Sequence, residues 1–152
     1  MPRVRLPGRS WRSTSGGSAV RVYIAGPMRG YPERNYPAFH RAVARMRALG
    51  HEVISPVEIN HGPDDDGTKA PEHYVRNDLR EVIECDGIAL LAGWEQSTGA
   101  RCEASIAITL GLAFFDAESA MRIEAPPLIQ IRGGYECPVE MAPDATALQL
   151  RE

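Results

Sequence analysis

The sequence predicts a single α/β domain in which a mostly parallel sheet lies between layers of helix. Three observations predict it. Short apolar, β-branched runs alternate along the chain with longer stretches of helical periodicity. The runs end in loops rich in glycine and proline. At 152 residues the chain has room for one core and shows no internal repeat. Strand–helix alternation implies right-handed βαβ crossovers and hence parallel pairing.

Val20–Ala25 (Val-Arg-Val-Tyr-Ile-Ala) reads as the first strand. It runs into the loop Gly26-Pro27-Met28-Arg29-Gly30-Tyr31-Pro32. Asn35 is placed to cap the helix that follows, Tyr36 to Leu49, in which Phe39, Val43 and Met46 share a face. Gly50 stops it. His51–Ser55 is a short second strand, and residues 56–71 form a long loop. The loop's Asp64-Asp65-Asp66-Gly67 lacks the spaced ligands and closing glutamate of a calcium loop, and reads as a solvated tip. Glu72–Cys85 is a second helix, with Val75, Leu79, Val82 and Ile83 as its apolar stripe and Asp78 at the border, about 60° from Val75. Ile88–Ala92 is the third strand. A third helix is expected from Glu103 to about Phe115, a polar connection over 116–126, and a fourth strand at 127–132. The expected architecture is a flavodoxin-like or Rossmann-like three-layer sandwich with four or five strands. Its ligand edge collects the loops after Ala25, Ser55, Ala92 and Arg132.

Composition narrows the function. Apolar residues make up 43% and charged residues 24%, ordinary for a soluble globular protein. Residues 1–19 carry four arginines and no acid, and read as a flexible basic arm ahead of a domain over 20–152. Of the chain's 17 basic and 20 acidic groups, 13 and 20 fall on that domain, a balance of −7. An acidic body argues against a broad nucleic-acid surface, while a small anion can still be held by a few N–H groups and an arginine. Three cysteines without CxxC spacing suggest neither a disulfide framework nor zinc, and fit a reducing cytoplasm. His40, His51, His61 and His73 form no metal motif, and there is no Walker A sequence or dinucleotide fingerprint, so neither metal nor organic cofactor is expected. No apolar run is long enough to span a bilayer.

The chemistry concentrates around residues 93–103, Gly-Trp-Glu-Gln-Ser-Thr-Gly-Ala-Arg-Cys-Glu. A strand leads in and a helix leads out. Such a loop lies at the ligand edge of an open sheet, where helix N–H groups favour anions. Glu103 falls within about 80° of Ile106, Ala107, Leu110, Gly111 and Phe114, on the face meant for the core. A carboxylate there needs the helix N-terminus, hydrogen bonds or a cleft. Asp78 is a second carboxylate whose helix feeds the strand before that loop. Two carboxylates of different burial can divide into nucleophile and acid, the equipment for breaking a glycosidic bond covalently. Tyr23, near the end of the first strand, is either a core aromatic or a hydroxyl that holds Glu103. Arg29, between Gly26 and Gly30, suits an anionic oxygen.

These residues resemble a known family. Tyr23-Ile24-Ala25-Gly26-Pro27-Met28-Arg29-Gly30, Asn77-Asp78-Leu79 with Cys85-Asp86, and Gly93-Trp94 with Ser97-Thr98-Gly99-Ala100 and Glu103 are similar to motifs of the nucleoside 2-deoxyribosyltransferase-like superfamily, above all its short bacterial and phage branch. The resemblance covers about residues 20–115. It implies that Glu103 attacks C1′ of a deoxyribosyl group, that Tyr23 orients it, and that Asp78 assists at base or sugar. Transferases of free nucleosides usually carry aspartate where this chain has Ser97. The deoxynucleoside 5′-monophosphate N-glycosidases carry serine, and an Arg-Gly pair like Arg29-Gly30. A serine at a helix N-terminus donates to a 5′-phosphate that an aspartate would repel. The resemblance thus implies a nucleotide substrate and hydrolysis. Gly26, Arg29, Gly30, Ser97, Thr98 and Gly99 would bind it, and Glu58 and Asn60 would recognise the base. It also implies at least a homodimer, with Tyr135 the candidate for a residue lent to a neighbouring subunit. Two alternatives stay open: a nucleotide-binding sensor without turnover, and a transferase acting on free nucleosides.

Overall fold

The computed structural model describes residues 19–60 and 68–127. Its elements are β1 Arg21–Ala25, α1 Tyr36–Ala48, β2 Glu52–Ile54, α2 Pro56–Asn60, α3 Pro71–Glu84, β3 Gly87–Leu90, α4 Thr98–Leu110, β4 Ala113–Asp116 and β5 Arg122–Ile123. The sheet order is β2-β1-β3-β4-β5. β1 pairs in parallel with both β2 and β3, β3 pairs in parallel with β4, and β5 closes the sheet antiparallel to β4. This is the expected flavodoxin-like arrangement. Strand order reverses at β1, so the C-terminal ends of β1 and β3 form the crevice where such sheets bind ligands.

The core follows from alternation along β1. Val22 and Ile24 point to one face and pack with Phe39, Val43 and Met46 of α1. Tyr23 and Ala25 point to the other, against Val82 of α3 and Ala100, Ala104 and Ala107 of α4. Both faces are covered, which is why β1 is apolar at every position after Arg21. Full burial of Phe39, Val43 and Met46 contributes roughly 1.5–3 kcal/mol each. The α4 stripe is made of alanines, and small side chains let that helix sit close against the sheet.

Several boundaries differ from the sequence reading. The third long helix runs Thr98–Leu110, not from Glu103 to Phe115. Gly111 ends it at φ 68, a left-handed cap that glycine adopts without steric cost. Phe114 and Phe115 lie instead in β4, one on each face of the sheet. The expected polar connection holds the end of β4 and all of β5, joined by a turn in which Asp116 accepts from the N–H and hydroxyl of Ser119. The long loop after β2 opens with the short helix α2. On α3 the expected stripe is only part buried: Val82 is inside, but Ile83 is 55% exposed. Asn35 holds the N-cap position of α1 at φ 61 without capping it, and donates its side-chain amide to the Pro27 carbonyl at 2.8 Å. The strand expected at 127–132 lies outside the described residues except for Pro127, which is not in a strand. The acidic tip at 64–67, His61, Tyr135 and all but Ala19 of the basic arm also lie outside them.

Candidate active site

Tyr23, Asp78 and Glu103 come from three different elements and meet behind the crevice. β1 turns Tyr23 toward the α3–α4 layer and buries it completely. On α4 the buried positions are Ala100, Glu103, Ala104 and Ala107, so Glu103 occupies the inner stripe of the helix in its second turn. It is 8% exposed. The Tyr23 hydroxyl donates to Glu103 Oε1 at 3.1 Å. The same hydroxyl also hydrogen-bonds Asp78 on α3. On its far side, Asp78 Oδ1 accepts from the side-chain amide of Asn60. Asn60 in turn accepts from Asn77 Nδ2 at 3.3 Å, and Asn77 Nδ2 lies 3.3 Å from His73 Nε2.

The electrostatics are those of a desolvated acid pair. Burial first, then the negative charge of Asp78, push the Glu103 carboxyl well above the usual carboxylate range, against the hydrogen bond from Tyr23. Burial also pushes Asp78 up, to about 6, against the hydrogen bonds from Asn60 and Tyr23. Burial and the two carboxylates raise the Tyr23 hydroxyl well above its ordinary value, so it stays protonated. The phenol has one hydrogen. It can donate to one carboxylate and accept from the other when that one is protonated. The phenol keeps its own hydrogen, and the two carboxyls beside it can share one further proton, as coupled carboxylates do.

The turn before α4 also borders the crevice. Ser97 is the N-cap, its Oγ accepting from the Ala100 N–H at 3.3 Å. That leaves the serine O–H as a donor. Thr98 and Gly99, the first two residues of α4, are exposed, and nothing lies within 4 Å of where a Gly99 side chain would begin. Their N–H groups belong to the helix turn that has no internal acceptor. Opposite lies the loop after β1. Gly26 has no room for a side chain, since a Cβ would fall 2.6 Å from Leu91 Cβ. Arg29 and Gly30 are exposed on this loop, Gly30 at φ +82. Tyr31 reaches from it to the loop after β3, where a Cβ on Gly93 would fall 2.6 Å from the Tyr31 hydroxyl.

The other two sequence candidates lie elsewhere in the network. Glu58 is exposed on α2 and bound by Arg47 of α1, at 2.7 and 3.1 Å. Asn60 is 5% exposed, with both ends of its amide engaged. Two further residues at the site escaped sequence reasoning as contributors. Asn77 was visible only as the neighbour of Asp78, and Tyr31 only as part of a turn-rich loop. Among the described residues, no group of three or more His, Cys, Asp or Glu is placed to hold a metal ion, and no helix is long and apolar enough to cross a membrane.

The fold has a solved counterpart among 2-deoxyribosyltransferases. The structure is similar to that of a 2-deoxyribosyltransferase from the psychrotolerant bacterium Bacillus psychrosaccharolyticus, at 23% identity and TM-score 0.50, over 62% of this chain and 69% of that one. It is also similar to a 2-deoxyribosyltransferase from Leishmania mexicana, at 18% identity and TM-score 0.49, over 63% of this chain and 62% of that one. No curated protein matches the chain. The chain belongs to the family described as Domain of unknown function (DUF4406), whose model matches residues 20–116. That span holds every residue of the candidate site.

Proposed function

We propose that the protein is an N-glycosidase that cleaves the base–sugar bond of a (deoxy)nucleoside 5′-monophosphate through a covalent glycosyl–Glu103 intermediate. The observation that carries this reading is the buried Glu103 carboxyl, hydrogen-bonded through Tyr23 to a second carboxyl of different burial. Desolvation of both acids destabilises the chain, which a purely structural pair would not need.

In the first step a Glu103 oxygen attacks C1′. The C1′–N bond breaks, and its electron pair leaves with the base, which takes a proton from Asp78. Glu103 must be ionised and Asp78 protonated for this, the reverse of the order that their burial favours in the empty site. Tyr23 bridges them, and a proton passes from Glu103 to Asp78 by one exchange through its hydroxyl. Water then attacks C1′ of the intermediate, gives a proton to Asp78, and frees Glu103. Ser97 and the first N–H groups of α4 suit the 5′-phosphate, with Arg29 and Gly30 across the crevice.

A second reading replaces water by another base. It is favoured by the fold shared with the 2-deoxyribosyltransferase from B. psychrosaccharolyticus. One experiment tests both. A panel of nucleosides and their 5′-monophosphates is incubated with the protein, with and without a second free base, and products are separated by chromatography. Free base from monophosphates supports hydrolysis. A new nucleoside formed only with the second base supports transfer. A Glu103→Ala protein that releases base as fast as the parent would falsify both, and thermal stabilisation by nucleotides with no product would mark a sensor.

A further inference from the structure

We propose that Asn60 is a positioning residue for Asp78, and that Asn77 sets the direction of the Asn60 amide. The proposal deepens the reading above, since it concerns the acid assigned there to the leaving base. Asn60 sits on the five-residue helix α2, in a part of the chain where the resemblance places base recognition. The structure gives its side chain a different occupation. It is 5% exposed, its Nδ2 donates to Asp78 Oδ1, and its Oδ1 accepts from Asn77 Nδ2.

The direction of the amides follows from the carboxylate outward. An ionised Asp78 only accepts, so Asn60 must present its NH2 group. The Asn60 carbonyl then faces Asn77, which must present NH2 as well. The same Asn77 nitrogen meets His73 Nε2, so that ring nitrogen is the acceptor. Any amide turned the other way sets like against like. The chain of hydrogen bonds has one consistent sense, and it ends on a single oxygen of Asp78.

That has a consequence for the proton. With Oδ1 held by a donor, a proton arriving on Asp78 is directed to the other oxygen. The other groups that act on Asp78 are Tyr23 from β1 and Glu103 from α4, while Asn60 occupies Oδ1 and His73 reaches it only through Asn77 and Asn60. Asn60 therefore holds Asp78 with its free oxygen toward the reacting side, and stabilises its ionised form between turnovers.

The test reads Asp78 directly. Carboxyl carbons are labelled with 13C, the Asp78 signal is assigned by its loss in Asp78→Asn, and its titration is followed by NMR in the parent, Asn60→Leu and Asn77→Leu. Loss of one donor should move the Asp78 midpoint up by about one pH unit in Asn60→Leu and by less in Asn77→Leu. Asn77 is less buried than Asn60, so its variant keeps the test open should Asn60→Leu not fold. In the base-release assay the acid-dependent limb should move the same way, with KM for nucleotide changed less than about threefold and kcat reduced. Unmoved midpoints overturn the proposal. So does a rise in KM or a change of base preference with the midpoint unmoved, which would make Asn60 a base reader. If the parent releases no base at all, the proposed reaction fails, while the titration still decides whether Asn60 holds Asp78.

Discussion

Replacing Asp78 by asparagine should stabilise the protein at neutral pH while abolishing base release. The carboxyl is pushed up from 3.8 to about 6, chiefly by burial. Between those values the native chain binds a proton that the unfolded chain has released. Stability contributed by this group is therefore complete below about pH 3.8, and is lost as pH rises to about 6. A shift of about two units at 1.36 kcal/mol each makes the loss about 3 kcal/mol at pH 7. Solvent reaches part of this carboxyl, so that figure is a ceiling for Asp78 itself. Asparagine has the same shape, can still accept from Asn60, and has no charge to desolvate. Removing the Asp78 charge also relieves Glu103, which that charge raises, and this adds a gain of the same sign. Urea denaturation of parent and variant from pH 4 to pH 8 provides the measurement. The difference in unfolding free energy should be small at pH 4, grow by up to about 1.4 kcal/mol per pH unit, and level off above pH 6. A difference that stays constant across this range would refute the reasoning, because it would mean that the Asp78 carboxyl ionises alike in the folded and unfolded chain.

Other substitutions give separable outcomes. Tyr23→Phe keeps the buried ring but removes the donor to Glu103, and should lower kcat by roughly 10- to 100-fold, from the 1.5–3 kcal/mol of a hydrogen bond to a charged group; an unchanged kcat would remove the hydroxyl from the mechanism. Ser97→Ala deletes the α4 cap and should cost about 1 kcal/mol of stability. It should also weaken binding of a nucleoside 5′-monophosphate more than binding of the nucleoside, and equal losses by calorimetry would argue against a phosphate at that turn. Gly93→Ala places a methyl against Tyr31 at φ +83, and should destabilise by about 1–2 kcal/mol in thermal or urea unfolding. A second change, Tyr31→Phe, should recover part of that loss.

The sequence determined the layered fold because its signals are local. β1 is apolar at each position after Arg21, so it had to be a strand covered on both faces, and Phe39, Val43 and Met46 recur at helical spacing. Glu103 could be placed on a buried face for the same reason, although the helix carrying it starts five residues earlier than its apolar pattern suggests. The error at its far end has a physical cause. Phe114 and Phe115 extend the apolar run past Gly111, and only the left-handed cap separates helix from strand. Pairing between distant residues was decided by tertiary structure alone. Asn60 and Asp78 are 18 residues apart, and Tyr23 and Glu103 80 apart. No periodicity encodes which of two exposed-looking polar groups will be desolvated together. Glu58 and Asn60 sit two residues apart on the same short helix, yet one is exposed and paired with Arg47 while the other is buried against Asp78. Sequence supplied the carboxylates, the tyrosine and the turn before α4. The packing of α3 and α4 against β1 put the two acids out of water, and it is on this desolvation that the proposed chemistry rests.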